Sequence, residues 1–258
     1  SILENSVSEW TGKHSNSIGG VTYDGLPGGS DNKFLGVISL KDDIGIKTEA
    51  RNQGGVIVTA SNNLLKDVVI AQPRSVGIYL RSSQNTKVEN TTIFDSSSSS
   101  GFAADATSAE PCSAFAGGCS FTAVNVLSFE HATYGLLSVG QNEWLADYMN
   151  SSGNGTANYS PSETISDAVG HIQHSLSSVP TSIGLGTNQC ILWVPETSNM
   201  KRAGKDTNGD GIREDIGANI LYRYQDGVLT TQPLWDTTTG EFPHGAIVAG
   251  VNDVAGQS

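Results

Sequence analysis

The chain has 258 residues, a formal net charge of −12, only 16% charged residues and 30 glycines. That composition excludes a coiled coil or long-helix protein, and the acidic balance argues against broad nucleic-acid binding, which needs a basic surface. No apolar run approaches 18 residues, so no transmembrane helix is expected.

In chain order, Ile2-Leu3-Glu4-Asn5-Ser6-Val7 already reads as part of a repeat. The chain is therefore expected to be the C-terminal portion of a longer precursor, with a further N-terminal segment as its partner, or a processed product. Gly25 to Asn32 is a Gly/Pro loop, and Leu35–Leu40 and Ile44–Lys47 are short strand candidates. From Gly54 to Gly140 the chain reads as a ladder. Gly55-Val56-Ile57-Val58 is answered by Gly77-Ile78-Tyr79-Leu80 and by Gly135-Leu136-Leu137-Ser138. Companion runs follow at Lys66–Ile70, Lys87–Ile93 and Phe121–Leu127, with polar turn clusters at Ser61-Asn62-Asn63 and Ser82-Ser83-Gln84-Asn85 between them. Gly55 and Gly77 are 22 residues apart. A fixed period of short β-branched runs predicts a β-solenoid, whose core comes from stacking. Residues 95–118 read as a long flexible excursion between rungs. It contains Cys112 and Cys119, either a disulfide or two thiols. Cys190, in an apolar run, reads as a buried thiol.

Ser160-Pro161-Ser162-Glu163 has the pattern of a capping box, and Ile165, Ala168, Val169, Ile172, Leu176 and Val179 recur at helical spacing. The spacing predicts one amphipathic helix over 160–180, lying on or capping the solenoid. Residues 181–258 return to β character, with strands over 188–194 and 218–224 and a turn at Asp226-Gly227. The division is thus 1–159, 160–180 and 181–258.

The pairs Gly77-Ile78-Tyr79-Leu80 and Val88-Glu89-Asn90-Thr91-Thr92-Ile93, with the opening Trp10 to Ile18, resemble right-handed parallel β-helix proteins of the secreted, polysaccharide-acting kind, the pectate-lyase-like superfamily. The block Ile216 to Thr230 with Pro233-Leu234-Trp235 is similar to the closing segment of bacterial secreted β-helix proteins. The resemblance implies an all-β right-handed parallel β-helix, a secreted or cell-surface location in a bacterium, and a polysaccharide lyase. The alternative is a non-catalytic extracellular protein: structural, adhesive, filament-forming or glycan-binding.

Two constellations carry candidate chemistry. In Asp206-Thr207-Asn208-Gly209-Asp210-Gly211-Ile212-Arg213-Glu214-Asp215, oxygen ligands alternate before a glycine, which suits Ca²⁺. The expected ligands are Asp206, Asn208, Asp210, Asp215 and the Ile212 carbonyl. The alternative is an acidic turn without metal. The second constellation follows from aligning the rungs. Lys13 and His14, Arg51, Arg74 and His131 all precede a rung start, and Tyr79 and Arg81 point outward beside them. Such a column suits an acidic polysaccharide, with Arg51, Arg74 and Tyr79 binding it and Arg81, His131, Lys13 and His14 available for β-elimination. The alternative is turn scaffolding. Glu49, Glu89, Glu130 and Asp95 are available carboxylates for glycoside hydrolysis, Glu130-His131 could form an acid/base pair, and His171 and His174 share a side of the expected helix.

Overall fold

The structure, a computed structural model, describes residues 2–5, 7–9, 16–19, 30–53, 56–58, 60–106, 112, 117–141, 143–185 and 189–234. Strands come first as β1 (Ile2–Glu4), β2 (Val7–Glu9), β3 (Asn16–Gly19), β4 (Lys33–Leu35), β5 (Ile38–Leu40) and β6 (Ile44–Glu49). Next are β7 (Arg51–Gln53), β8 (Val56–Val58), β9 (Leu64–Ala71), β10 (Val76–Arg81), β11 (Thr86–Phe94), β12 (Phe102–Asp105) and β13 (Ser120–Phe129). The series closes with β14 (Tyr134–Val139), β15 (Glu143–Asp147), β16 (Asn150–Ser152), β17 (Ala157–Ser160), β18 (Ile172–Gln173), β19 (Tyr222–Gln225) and β20 (Val228–Pro233).

The chain is all-β, with its two large sheets parallel throughout. Sheet one runs β1-β4-β9-β11-β13-β15-β18, with β2, β5 and β16 alongside; sheet two runs β17-β14-β12-β10-β6-β3. The chain crosses from one sheet to the other and back at each step. Alternate side chains therefore point between the sheets. Leu65, Val88, Ala123 and Ala146 form one inward column, and Ile46, Ile78, Phe102 and Leu136 form another. All eight are essentially solvent-free and share one core. Full burial of such an aliphatic side chain contributes about 1.5–3 kcal/mol.

The corners are set by backbone geometry. Asn5, Gly36, Asp67, Asn90, Asn125, Tyr148 and His174 follow register-matched residues of sheet one, and each has φ between 45° and 62°. The left-handed region costs an ordinary residue energy and is tolerated best by Gly, Asn and Asp, which supply five of the seven. Lys41, Gln72, Asp95, Glu130 and Gly153 form a second left-handed column where the strands leave sheet one.

At the entry to sheet two stands a column of glycines: Gly45, Gly77, Gly101 and Gly135. A Cβ on Gly77 would lie 2.5 Å from the Gly101 carbonyl oxygen, and one on Gly101 would lie 2.2 Å from His131 Nε2. This register corrects the expected one. Gly45, not Gly55, is the partner of Gly77, and β7–β8 is an antiparallel hairpin outside the ladder. The 22-residue period is therefore not a rung length. The Ser-rich excursion also holds β12, a full member of sheet two, and Cys112 and Cys119 are joined by a disulfide beside it.

The helix expected over 160–180 is absent. β17 runs to Ser160, and Ile172–Gln173 instead add to sheet one beside Ala146 and Asp147. The Glu163 carboxylate that would have capped a helix receives the His171 backbone N–H at 3.1 Å. Val169 and Val179, part of the supposed apolar stripe, are 70% and 69% exposed. Of the strand expected over 188–194, the described residues 189–194 form no more than a bridge at Cys190, and only the end of 218–224 is a strand, in the β19–β20 hairpin. The Asp226-Gly227 turn is as expected, with both residues at positive φ. Cys190 is free and buried, and burial pushes its thiol up to about 11.

Most of 183–234 is a flanking layer on the outside of sheet one. Ile191, Leu192, Val194, Met200, Ile216, Ala218 and Ile220 make a second core against Ile38, Leu40, Val69, Phe94, Leu127 and Phe129. The layer is pinned along the first left-handed column. The Asn5 amide exchanges two hydrogen bonds with the Tyr224 backbone, at 2.8 and 2.9 Å. The Tyr224 hydroxyl donates to Asp67, and Asn90 and Asn125 donate to Glu214.

Candidate functional site

Because Ile46, Ile78 and Phe102 point inward, their alternate neighbours point outward on sheet two. Lys47 and Tyr79 pair across β6 and β10, and Glu49, Arg81 and Asp105 pair across β6, β10 and β12. Arg81 Nη1 and Lys47 Nζ each lie 2.7 Å from a Glu49 oxygen, while the Lys47 ammonium sits 5.8 Å from the centre of the Tyr79 ring. The Tyr79 hydroxyl donates to Asp105 at 3.2 Å. Burial, and then the Asp105 charge, raises the pKa of that phenol. The result is an outward cluster of two cations and two carboxylates around one ring.

Of the residues expected to meet the polysaccharide, Tyr79 and Arg81 belong to this cluster, and among the described residues Arg74 and His131 of the cationic column do not. Arg74 is exposed in the turn before β10, where its carbonyl receives the Ser97 hydroxyl at 3.0 Å. His131 is 2% exposed and serves the scaffold. The Ser96 N–H donates to its Nδ1 at 3.0 Å, so its Nε2–H donates to Ser128 Oγ, which in turn donates to the Gly135 carbonyl. Burial holds its pKa down to about 3, so at neutral pH it is neither a cation nor an available base. Arg51 lies in the β7–β8 hairpin; its side chain, like Lys13 and His14, lies outside the described residues. Sequence reasoning missed Lys47 and Asp105. Alternation through Ile44-Gly45-Ile46-Lys47 would have found the first, but Asp105 was hidden in a stretch read as loop.

A second polar cluster stands at the far end of the left-handed column. His174 Nδ1 donates to Asp147 at 2.8 Å, and Lys205 Nζ reaches the other Asp147 oxygen at 2.8 Å. The His174 and Tyr148 rings stack 4.7 Å apart, and the Arg213 guanidinium lies 5.2 Å from the Tyr148 ring. His171 is elsewhere, bound to Glu163 at 2.8 Å and stacked on Trp144, so the two histidines share no helix face.

The loop over 206–212 is self-bonded. Asp206 accepts the Gly209 and Gly211 N–H groups, Asn208 accepts that of Asp210, and Asp210 accepts that of Ile212. Asp215 is turned away from it: its Oδ1 accepts the Arg202 N–H, and its Oδ2 accepts Lys201 and Asn219. The expected ligand set therefore loses Asp215. Among the described residues no group of three or more His, Cys, Asp or Glu is placed to hold a metal. No family model matches the chain, and neither does any curated protein or solved structure.

Proposed function

We propose that the chain is a secreted right-handed parallel β-helix that holds an extracellular acidic polysaccharide across the outer face of sheet two. The observation that carries this reading is the outward cluster of Lys47, Glu49, Tyr79, Arg81 and Asp105 on consecutive strands. An aromatic ring offers a face for a sugar ring, and the charged groups beside it can meet hydroxyls and carboxylates. Strands recur about every 4.8 Å, so a linear glycan can lie across several of them. Two observations favour holding over cleaving. Glu49 already engages the Arg81 guanidinium, and His131 is sealed in the scaffold. Cleavage by β-elimination is the second reading, with Arg81 released from Glu49 by a substrate carboxylate.

Titration against pectate, alginate and sulfated glycans tests both. Tyr79→Ala and Arg81→Ala should each weaken binding about tenfold, and Arg81→Lys should also weaken it because a point charge cannot replace the planar fork. Unaltered affinity of both alanine variants for every bound glycan sinks the face as the site. New absorbance near about 235 nm, from unsaturated products, would move the reading from holding to elimination.

We also infer a Ca²⁺ ion in the 206–212 loop, held by Asp206, Asn208, Asp210 and the Ile212 carbonyl. Its support is the alternation of oxygen ligands around Gly209 and Gly211, both at positive φ. With only two carboxylates, affinity belongs to the weak extracellular class, with Kd on the order of 10⁻⁴–10⁻³ M.

A further inference from the structure

The flanking layer contains an arrangement more specific than an ion pair. Asp215 is buried, at 7% exposure. A single one of its oxygens, Oδ2, accepts both Lys201 Nζ at 3.1 Å and Asn219 Nδ2 at 2.7 Å. An amine and a carboxamide are thus held side by side on one proton acceptor. The carboxamide is gripped at its other end too, because the Val194 N–H donates to Asn219 Oδ1 at 3.1 Å. Lys201 Nζ makes two further contacts, to the Val194 carbonyl and to Glu196, each at 3.3 Å. Val194, Met200, Ile216 and Ala218 around the group are buried.

These are the parts an acyl transfer needs: a nucleophile, an adjacent base, an electrophilic carbon and a donor aimed at the oxygen that becomes negative. We propose that Lys201 and Asn219 join in an isopeptide bond that the protein forms on itself, with Asp215 carrying the protons and the Val194 N–H holding the oxyanion. Asp215 takes a proton from the Lys201 ammonium, and the freed lone pair attacks Asn219 Cγ. The new N–C bond forms as the carbonyl electrons move onto Oδ1. When the carbonyl re-forms, the Cγ–Nδ2 bond breaks. The two protons shed by Lys201 leave with Nδ2 as ammonium, and Asp215 returns to its carboxylate. No oxidant, cofactor or second protein is consumed. The link would close a ring from Lys201 to Asn219 around the 206–212 loop, restricting the unfolded chain there as a disulfide does.

Intact mass of the folded, purified protein tests it. The expected value lies one ammonia, about 17 Da, below that of the sequence with its disulfide, because the bond replaces a primary amide. A fragment spectrum should show the peptide carrying Lys201 joined to the one carrying Asn219. Trypsin cutting after Lys205 or Arg213 should leave the two sides attached under reducing conditions. Lys201→Arg and Asn219→Ala should each restore the full mass. A wild-type chain at full mass overturns the proposal. So does a light mass that persists in Lys201→Arg, because Asn154-Gly155 and Asn208-Gly209 lose the same ammonia by closing on their own backbone.

Discussion

The ladder of parallel strands and the layer that flanks it are ordered by different means. In the ladder, one geometric demand repeats at every step, so position decides what is tolerated. Gly45, Gly77, Gly101 and Gly135 share a column because neighbouring backbone and side chains leave no room for a Cβ. In the layer nothing repeats. Order there comes from single side chains with several partners, such as Asp215, which gathers Lys201, Arg202 and Asn219, and Glu214, which gathers Asn90, Asn125 and Thr207. A substitution in the ladder is therefore judged by its column, and one in the layer by its hydrogen-bond partners.

The sharpest contrast is between two glycines. Gly101→Ala would set a methyl 2.2 Å from His131 Nε2 and 2.4 Å from Ser128 Oγ. Those atoms are locked in the chain from Ser96 to Gly135, so the wedge should open the ladder and cost about 3 kcal/mol or more. Gly209→Ala meets nothing within 4 Å and bears only the strain of its φ of +78°, roughly 1 kcal/mol. Urea unfolding of the two variants measures the difference. Equal losses would mean that the glycine column is not tightly packed.

Asp67 sits where the two regions meet, and its variant should move stability the other way. It occupies a left-handed corner, receives the Tyr224 hydroxyl from the layer, and has its pKa raised to about 6, chiefly by burial. A carboxyl with a raised native pKa favours the folded state when protonated. Its cost is therefore absent below the unfolded value near 3.8, grows as pH rises, and is complete above about 6. Asn90 and Asn125 fill the same column, so Asp67→Asn keeps the corner and an acceptor for Tyr224. The variant should be roughly 2 kcal/mol more stable than wild type at pH 7, and the gap should close towards pH 4. The gap has to be followed, not the wild-type curve, because His131 runs oppositely. Its depressed pKa stabilises the fold above about 6.5 and loses that effect as acid protonates the unfolded chain. A gap independent of pH would show that the Asp67 carboxyl is not what titrates.

The same contrast explains what could be read from the sequence. The strand runs over 66–70, 87–93 and 121–127 were legible because alternation and β-branching report a repeated local demand. The turn clusters at Asn62 and Asn85 were legible too, since asparagine marks left-handed corners, and both have positive φ. The register was not. Gly45 is flanked by isoleucines like any strand residue, and only the stacking of Gly77 on it reveals its column. The 160–180 segment carries sound local helix signals, but the open end of sheet one competes for Ile172, and a buried ladder position outweighs propensity. The outward pairing of Lys47, Glu49, Arg81 and Asp105 depends on which strands become neighbours. Spacing along the chain cannot supply that when the separation between stacked strands varies.

The smallest expected effect falls in the layer, at the 206–212 loop. Asp206, Asn208 and Asp210 already meet backbone N–H groups there, so the loop keeps its shape through its own hydrogen bonds. A cation would add to that shape without creating it. An ion that binds only the folded chain stabilises by RT ln(1 + [L]/Kd), so 10 mM Ca²⁺ acting on a site with Kd near 1 mM adds roughly 1.4 kcal/mol. Melting with 10 mM Ca²⁺ against EDTA should therefore raise Tm by only a few degrees, about 2–4 °C for a chain of this size. Asp210→Ala should abolish that rise. An Asp215 substitution should be insensitive to Ca²⁺, because its carboxylate serves Lys201 and Asn219. If EDTA changes nothing in the wild type, the loop is an acidic turn. If Asp215 variants lose the calcium response, the carboxylate swings into the loop when the ion binds, and the separation of Asp215 from the loop is wrong.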